Sequence, residues 1–387
     1  METLMTNVIR HGIIGCGNIG RTHANALVEL DEVKLVAVCD IDVEKARAIA
    51  DAHGVEHVFS SVEAMFAAVE LDTVSVATDH KNHFAPSMFA IEHGVNVIVE
   101  KPITTSLDEA HQLVAAAKAK GVKLGGVFQR RFFPSAQRMH QAIEDGRLGR
   151  IIAAECIAHL GRDRSYFEHD DWRGTWKGEG GGVLMNMTIH MIDMLLWMVG
   201  KPTEVYGRWA TLKHSEYIDV EDAATAVITF ESGALATLQA VTTFENGLVK
   251  RIGGAPTPNA HTARIAPGFR LAVHGSLGDT VGMRESPEFM QATTDQWTFD
   301  GESNAVDEWY AVEAGHAGFP AFHSNQLQDF ALAVLEDREP TVTGEDAYNA
   351  LEVVKAVYLS ESRRMPVKLP MSPADRVEAD RVSSGGE

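Results

Sequence analysis

The chain has 387 residues, 45% of them apolar, which is long for one ordinary core and ample for two. Its 54 acidic and 34 basic side chains leave a formal net charge of -20, which repels polyanions and excludes nucleic acid or an anionic membrane surface as the main partner. No apolar run approaches a membrane span and the amino-terminal METLMTNVIRHGIIGCG carries no long apolar stretch, so the expected location is cytoplasmic.

From residue 7 to about 127, short apolar runs alternate with helical patterns: VIRHGIIG, a helix from about Arg21, KLVAVCD, a helix over VEKARAIADAHG, TVSVATD, a helix over FAPSMFAIEHG, and NVIVEKP. That alternation predicts βαβ units on a parallel sheet, with Gly54, Gly94 and Gly121 standing where helix C-caps belong. After about Phe128 strand-like segments follow one another: IIAAECIAHLG, EVYGRWATLK, AATAVITF, ALATLQAVTTF and FRLAVHG, with ESG at 231–233 as a hairpin turn. This predicts a largely antiparallel sheet with one face open to a partner subunit. QLQDFALAVLED and EDAYNALEVVKAVYLSESRR read as late helices able to pack on either domain, and the polar stretch from Met371 to Glu387 reads as a disordered tail. The expected division is 1–127, 128–370 and 371–387. Cys16, Cys39 and Cys156 are widely spaced in apolar contexts, which predicts reduced, buried thiols and neither disulfides nor a thiolate metal site.

Gly15, Gly17 and Gly20 form G-x-G-x-x-G between a strand and a helix. The first glycine allows a tight turn, the second lets a pyrophosphate approach the backbone, and the third lets helix and strand pack closely. Free amides at the helix start would face the phosphates, which makes Asn18 and Ile19 cofactor positions as well. Asp40 ends the next strand, twenty residues beyond Gly20, where a carboxylate accepts from ribose hydroxyls and repels a 2′-phosphate. No arginine immediately follows it, so NAD is expected in preference to NADP.

GIIGCGNIGRTHANAL, then VEKPITTSLDEAHQL from Val99 to Leu113, then DWRGTWKGEGGGVLMNMTIHMIDMLLW from Asp171 to Trp197, together resemble the glucose-fructose oxidoreductase, inositol dehydrogenase and rhizopine-catabolism (Gfo/Idh/MocA) family of NAD(P)-dependent oxidoreductases. The resemblance runs from residue 7 to 369. It implies an α/β protein with an N-terminal Rossmann domain and a C-terminal α/β domain, whose large, mostly antiparallel open sheet builds a homodimer or homotetramer. It also implies that Glu100 and Lys101 lie beside the nicotinamide and that Lys101, His190 and Asp193 form the catalytic set. Pro102 makes a cis Lys-Pro bond a reasonable expectation.

Histidine titrates in the range a general base needs, and Asp193, three residues beyond His190, can orient it or bind a hydroxyl. Asn186 stands where many relatives carry aspartate, so the usual carboxylate-imidazole pair is altered and the amide is expected on substrate. The loop RDRSYFEHDDWRGTWKGEG supplies Tyr166, Trp172, Arg173 and Trp176, a composition suited to stacking on a sugar ring and bonding its hydroxyls. Arg130 and, by resemblance, His323 join the substrate set. Thr78 and His83 match the family's cofactor loop, while Asp79 and His80 replace its usual pair; no metal is expected there. Methionines 185, 187, 191, 194 and 198 read as core packing.

The expected function is an NAD-dependent dehydrogenase of a secondary hydroxyl, or reductase of the ketone, in a sugar, glycoside or cyclic polyol. The rival expectation keeps NAD tightly bound and uses transient oxidation to eliminate a glycosidic or other leaving group. A non-catalytic NAD sensor is a third.

Overall fold

The computed structural model describes residues 8–243, 268–286, 291–302 and 319–385. The chain divides into two compact units, Met1–Phe132 with Ala317–Leu351 and Phe133–His316 with Glu352–Glu387. In this division the first boundary falls at 132/133. The turn after the last strand of the first unit is tied to that unit, because Arg131 donates to the Thr341 carbonyl at 3.1 Å and pairs with Asp346 at 3.2 Å.

In the first unit the apolar runs form β1 (Ile9–Ile14), β2 (Val33–Cys39), β3 (His57–Phe59), β4 (Thr73–Val76), β5 (Asn96–Val99) and β6 (Leu124–Gly126). They pair in the order β3-β2-β1-β4-β5-β6, every pair parallel, which is the Rossmann arrangement. The order reverses at β1/β4, so the ligand crevice of such a sheet opens at the carboxyl ends of these two strands. Five helices connect the strands: α1 (Asn18–Leu27), α2 (Val43–His53), α3 (Val62–Ala68), α4 (Phe84–Glu92) and α5 (Leu107–Lys120). Asp42, Ser61 and Ser106 cap α2, α3 and α5 by accepting from backbone amides, and Gly54 and Gly121 end α2 and α5 with φ of +66° and +70°. The helix Phe319–Leu335 returns to this unit, where Leu327, Phe330 and Ala331 share a core with Ala24, Leu27 and Ile98.

Among the described residues of the second unit there are eight strands: β7 (Ile151–His159), β8 (Pro202–Ala210), β9 (Ala223–Phe230), β10 (Leu235–Val241), β11 (Gly268–Gly275), β12 (Thr280–Ser286), β13 (Gln291–Trp297) and β14 (Val367–Lys368). Their order is β13-β12-β11-β7-β10-β9-β8-β14, antiparallel throughout except for β7 with β10. Residues alternate between buried and exposed along β9 and β10, so one face carries the core and the other is open. Gly233, with φ of +83°, turns the β9–β10 hairpin; Phe244, the end of the expected ALATLQAVTTF run, lies outside the described residues. The five methionines at 185–198 are all buried. The segment Trp176–Val199 is long and apolar enough to cross a membrane, contrary to the sequence reading, but 89% of its apolar window is buried in this unit.

The expected disordered tail is instead a helix, Pro373–Val382, capped by Ser372. Polar composition suggested disorder, but these charges have fixed partners: Arg363 pairs with Asp375 at 2.7 Å and with Glu378 at 2.5 Å, and the buried Lys355 pairs with Asp380 at 3.3 Å. All three cysteines are free and buried, and burial pushes the thiols of Cys16, Cys39 and Cys156 up to about 12, 11 and 12.

Candidate functional site

The three motif glycines differ in what surrounds them. Gly15 has φ of +95°, and a Cβ there would lie 2.6 Å from the backbone of Ala77 and Thr78. At Gly20 a Cβ would lie 2.0 Å from the Gly15 carbonyl oxygen. At Gly17 a Cβ would meet nothing within 4 Å, so here the space belongs to no part of the protein. Gly17 is also the N-cap of α1, and no side chain caps that end, which leaves the first amides of Asn18 and Ile19 directed toward an incoming anion. Asp40 is fixed by two main-chain donors, Cys16 N at 2.7 Å and Asp42 N at 2.8 Å. An open approach at the second glycine, uncapped amides and a positioned carboxylate fit a dinucleotide.

Glu100, Lys101 and Pro102 follow β5 at its carboxyl end, and the Lys101–Pro102 peptide is cis. Glu100 is buried; its Oε1 faces His23 Nε2 at 3.1 Å and its Oε2 accepts from Lys101 N at 3.1 Å. Burial opposes its ionisation, but the hydrogen bond with His23 and the charges of His23, His323 and Lys101 outweigh it and hold the carboxyl at about 2. His83 is fully buried, with Nδ1 2.7 Å from the Pro102 carbonyl and Nε2 3.1 Å from the Thr78 carbonyl, so it clamps two loop backbones. Burial, above all else, lowers its proton affinity. Thr78 donates to the Asn82 carbonyl at 3.0 Å. Arg130 is buried in the 3-10 turn Gln129–Phe132. His323, expected on substrate, is buried with its ring 5.8 Å from that of His23 and within reach of Glu100.

In the second unit Gly180, Gly181 and Gly182 lead into a π-helical turn, Leu184–Thr188, and then the helix Ile189–Val199. The glycines are steric necessities. Gly180 has φ of +78°; a Cβ at Gly181 would lie 2.1 Å from the Tyr358 hydroxyl, and one at Gly182 would lie 2.0 Å from the Glu221 carbonyl. The buried Glu221 carboxylate accepts from Gly182 N (2.8 Å), Leu184 N (2.9 Å) and the Tyr358 hydroxyl (2.8 Å), and so secures the start of the turn that carries Asn186. A π turn at this point shifts the register of the side chains beyond it, a distortion that recurs at functional sites. Asn186, His190 and Asp193 are all buried on this segment.

Asn186 is already engaged. Its amide donates to the Tyr166 hydroxyl at 2.9 Å and to the buried Glu179 carboxylate, whose other oxygen accepts from Gly174 N at 2.6 Å. Arg173 Nη1 donates to the same Tyr166 hydroxyl at 2.6 Å, its Nε pairs with Asp170 at 2.8 Å, and its guanidinium lies 4.6 Å from the Trp172 ring centroid. Tyr166, Trp172, Arg173 and Asn186 thus form one connected group. Trp176 is buried, with its ring packed on Trp209 (5.3 Å) and Tyr358 (5.1 Å).

Sequence reasoning missed Glu179, Glu221, Tyr358, His11, Ser75 and His23. Glu221 acts on residues 37 and more positions away, which no local pattern signals, whereas Glu179 lies within the quoted loop, five residues from Gly174 and seven from Asn186. His23 lies inside the quoted GRTHANAL and two buried histidines flank the glycine motif, which was a readable sign of buried polar chemistry.

Residues 9–127 match the oxidoreductase family described as an NAD-binding Rossmann fold, and residues 140–369 match its C-terminal alpha/beta domain. D-apiose dehydrogenase of Paraburkholderia graminis is 28% identical over 381 residues, covering 96% of this chain and 93% of that protein. Inositol 2-dehydrogenase of Rhizobium meliloti is 26% identical over 365 residues, covering 93% and 99%. The WlbA dehydrogenase of Bordetella pertussis, solved with NADH and UDP-GlcNAcA, is 26% identical with a TM-score of 0.82, covering 96% of this chain and all of that one. The chain belongs to the Gfo/Idh/MocA family and is an NAD(P)-dependent oxidoreductase.

Proposed function

We propose that the protein is an NAD-dependent dehydrogenase that oxidises a secondary hydroxyl of a sugar, glycoside or cyclic polyol, or reduces the corresponding ketone. The observation that carries this reading is the Glu100-Lys101-Pro102 segment at the carboxyl end of β5, in the same unit as a glycine turn open at Gly17 and a fixed Asp40. The sugar and polyol substrates named for the relatives support the substrate class. Asp40 supports NAD over NADP, since its carboxylate repels a 2′-phosphate.

Gly15, Gly17, Asn18, Ile19, Gly20, Asp40, Thr78, Glu100 and Lys101 would hold the dinucleotide, and His83 supports its loop from behind. NAD, when bound, supplies the hydride acceptor. Lys101 takes the hydroxyl proton as hydride leaves the same carbon; His190 shares that proton task and Asp193 orients it. Arg130, Tyr166, Trp172, Arg173 and Asn186 recognise the substrate's hydroxyls. The functional assembly is a homodimer or homotetramer through the open sheet, in the reducing cytoplasmic compartment that three free thiols suit.

The test is to incubate the purified protein with NAD or NADP and a panel of monosaccharides, inositols, glycosides and nucleotide sugars, following nicotinamide reduction by absorbance and products by mass spectrometry. Continuing NADH formation with one class supports the proposal. Substrate cleavage without net reduction favours the eliminating enzyme, and no hydride exchange with any member favours a sensor.

A further inference from the structure

We propose that Thr73, His11, Ser75 and His23 form a buried tautomer relay ending on Glu100 beside Lys101, in which protonation of His23 reverses the three hydrogen bonds between Thr73 and His23 and switches the tautomer of His11. Four contacts join the chain end to end: Thr73 Oγ1 to His11 Nδ1 at 2.7 Å, His11 Nε2 to Ser75 Oγ at 2.9 Å, Ser75 Oγ to His23 Nδ1 at 3.0 Å, and His23 Nε2 to Glu100 Oε1 at 3.1 Å. All five residues are buried.

The donor inventory fixes the direction. An ionised Glu100 only accepts, so His23 Nε2 carries hydrogen; in neutral His23, Nδ1 must then accept from the Ser75 hydroxyl. The Ser75 oxygen in turn accepts from His11 Nε2–H, and His11 Nδ1 accepts from the Thr73 hydroxyl. Every donor points toward Glu100. If His23 becomes imidazolium, both its nitrogens donate, Ser75 must donate to His11 Nε2, and His11 carries its hydrogen on Nδ1, toward Thr73. The two states differ by one proton, taken up from a solvent hydronium ion at the Thr73 end: Thr73 passes its hydroxyl proton to His11 Nδ1, His11 passes Nε2–H to Ser75, Ser75 passes its proton to His23 Nδ1, and the hydronium replaces the Thr73 proton and leaves as water.

His11 responds by tautomer and not by charge, because burial, followed by the charge of His23, pushes its proton affinity down to about 3. The charged and titratable neighbours of His23 are Glu100 with Lys101, His323 at 5.8 Å between rings, His11 and, through Glu100, His83; at the far end Arg10 and Asp72 pair beside His11 and Thr73. The consequence for chemistry rests on the reading of Lys101 as proton acceptor. A cationic His23 neutralises Glu100 and lowers the proton affinity of Lys101, whereas a neutral His23 leaves Glu100 free to raise it.

The relay is tested without substrate or cofactor, by following the ring-nitrogen resonances of His11 and His23 in the 15N-histidine-labelled full chain against pH. His11 is expected to change from Nε2–H to Nδ1–H with the same midpoint at which His23 gains its second ring proton. In Ser75→Ala the His23 titration should persist while His11 stops following it; Ser75→Thr should restore the coupling, and Thr73→Val offers a second break at the far end. A His11 tautomer that stays fixed while His23 titrates overturns the proposal, as does coupling that survives Ser75→Ala. So would stoichiometric metal held by His23, Glu100 and His323, read by elemental analysis. Because none of these readouts is activity, failure of the dehydrogenase reading would leave them intact.

Discussion

Asn186 shows how a single residue was half legible. Its sequence position marked the loss of a usual carboxylate, but the reason lies in Glu179, a buried carboxylate that needs a donor at that point. Asn186→Asp would press two carboxyl groups together, so one must keep its proton and its folded-state affinity rises above the usual value near 4. A carboxyl raised in the folded state leaves stability whole below the unfolded value and removes it as pH climbs through the raised one. Asn186→Asp should therefore lose on the order of 3 kcal/mol at pH 8 and much less near pH 4, as measured by urea unfolding. An equal deficit at both pH values would assign the loss to the missing hydrogen bond alone. The glycine motif, by contrast, was fully readable as a pattern yet not in its division of labour. Gly20→Ala forces a Cβ to 2.0 Å from a carbonyl oxygen and should lower Tm markedly, while Gly17→Ala meets no protein atom within 4 Å and should keep Tm but weaken NADH binding by about tenfold or more. Thermal melts and fluorescence titration separate the two; unchanged NADH affinity in Gly17→Ala would remove that glycine from the cofactor site.

At the scale of elements, periodicity found most of the longer strands and helices but passed over β3, α3, β12, β13, the helix Pro134–Glu144 and the helix Pro373–Val382. β3 has only three residues, too few side chains to show a period, and a polar helix held by ion pairs has no apolar stripe to read. The π turn was also hidden, since it depends on Glu221 gripping Gly182 and Leu184 from 37 and more residues away. That grip has a pH signature. Burial is the largest influence on Glu221 and raises it from 4.5 to about 7, against hydrogen bonds from Leu184, Gly182 and Tyr358 that favour the anion. With the folded value above the unfolded one, stability is whole below about 4.5 and declines as pH rises through about 7, by roughly 3 kcal/mol in all. Glu221→Gln cannot titrate, so its unfolding free energy relative to wild type should become more favourable by about that amount between pH 4 and pH 8. A difference that stays constant across this range would mean that Glu221 has the same proton affinity in the folded and unfolded states.

At the scale of the whole molecule, the alternation of strands and helices announced a parallel sheet and the later texture an antiparallel one, because side-chain periods report layers directly. The return of Phe319–Leu335 to the first unit was left open, since an amphipathic face shows that a helix is buried and not what buries it. The same logic applies to the open face of the eight-stranded sheet. Tyr206 and Val227 are direct cross-strand partners, 40% and 46% exposed, and Leu235 on the next strand is 53% exposed, an apolar group on a face that otherwise alternates outward as polar. Such a surface suits a second copy of the chain, with an apolar centre inside a polar rim. Each copy carries a charge of -20, so self-association through this face would work against a long-range repulsion that salt screens, and the proposed oligomer should tighten as ionic strength rises. Val227→Glu places a new carboxylate at the centre of that group without touching the core, since position 227 faces away from it. Light scattering behind a sizing column should then show a smaller species with an unchanged Tm for the second unit. Retention of the wild-type mass would rule this face out as a subunit contact, because an interface cannot bury this position and accept an unpaired charge there without loss of affinity.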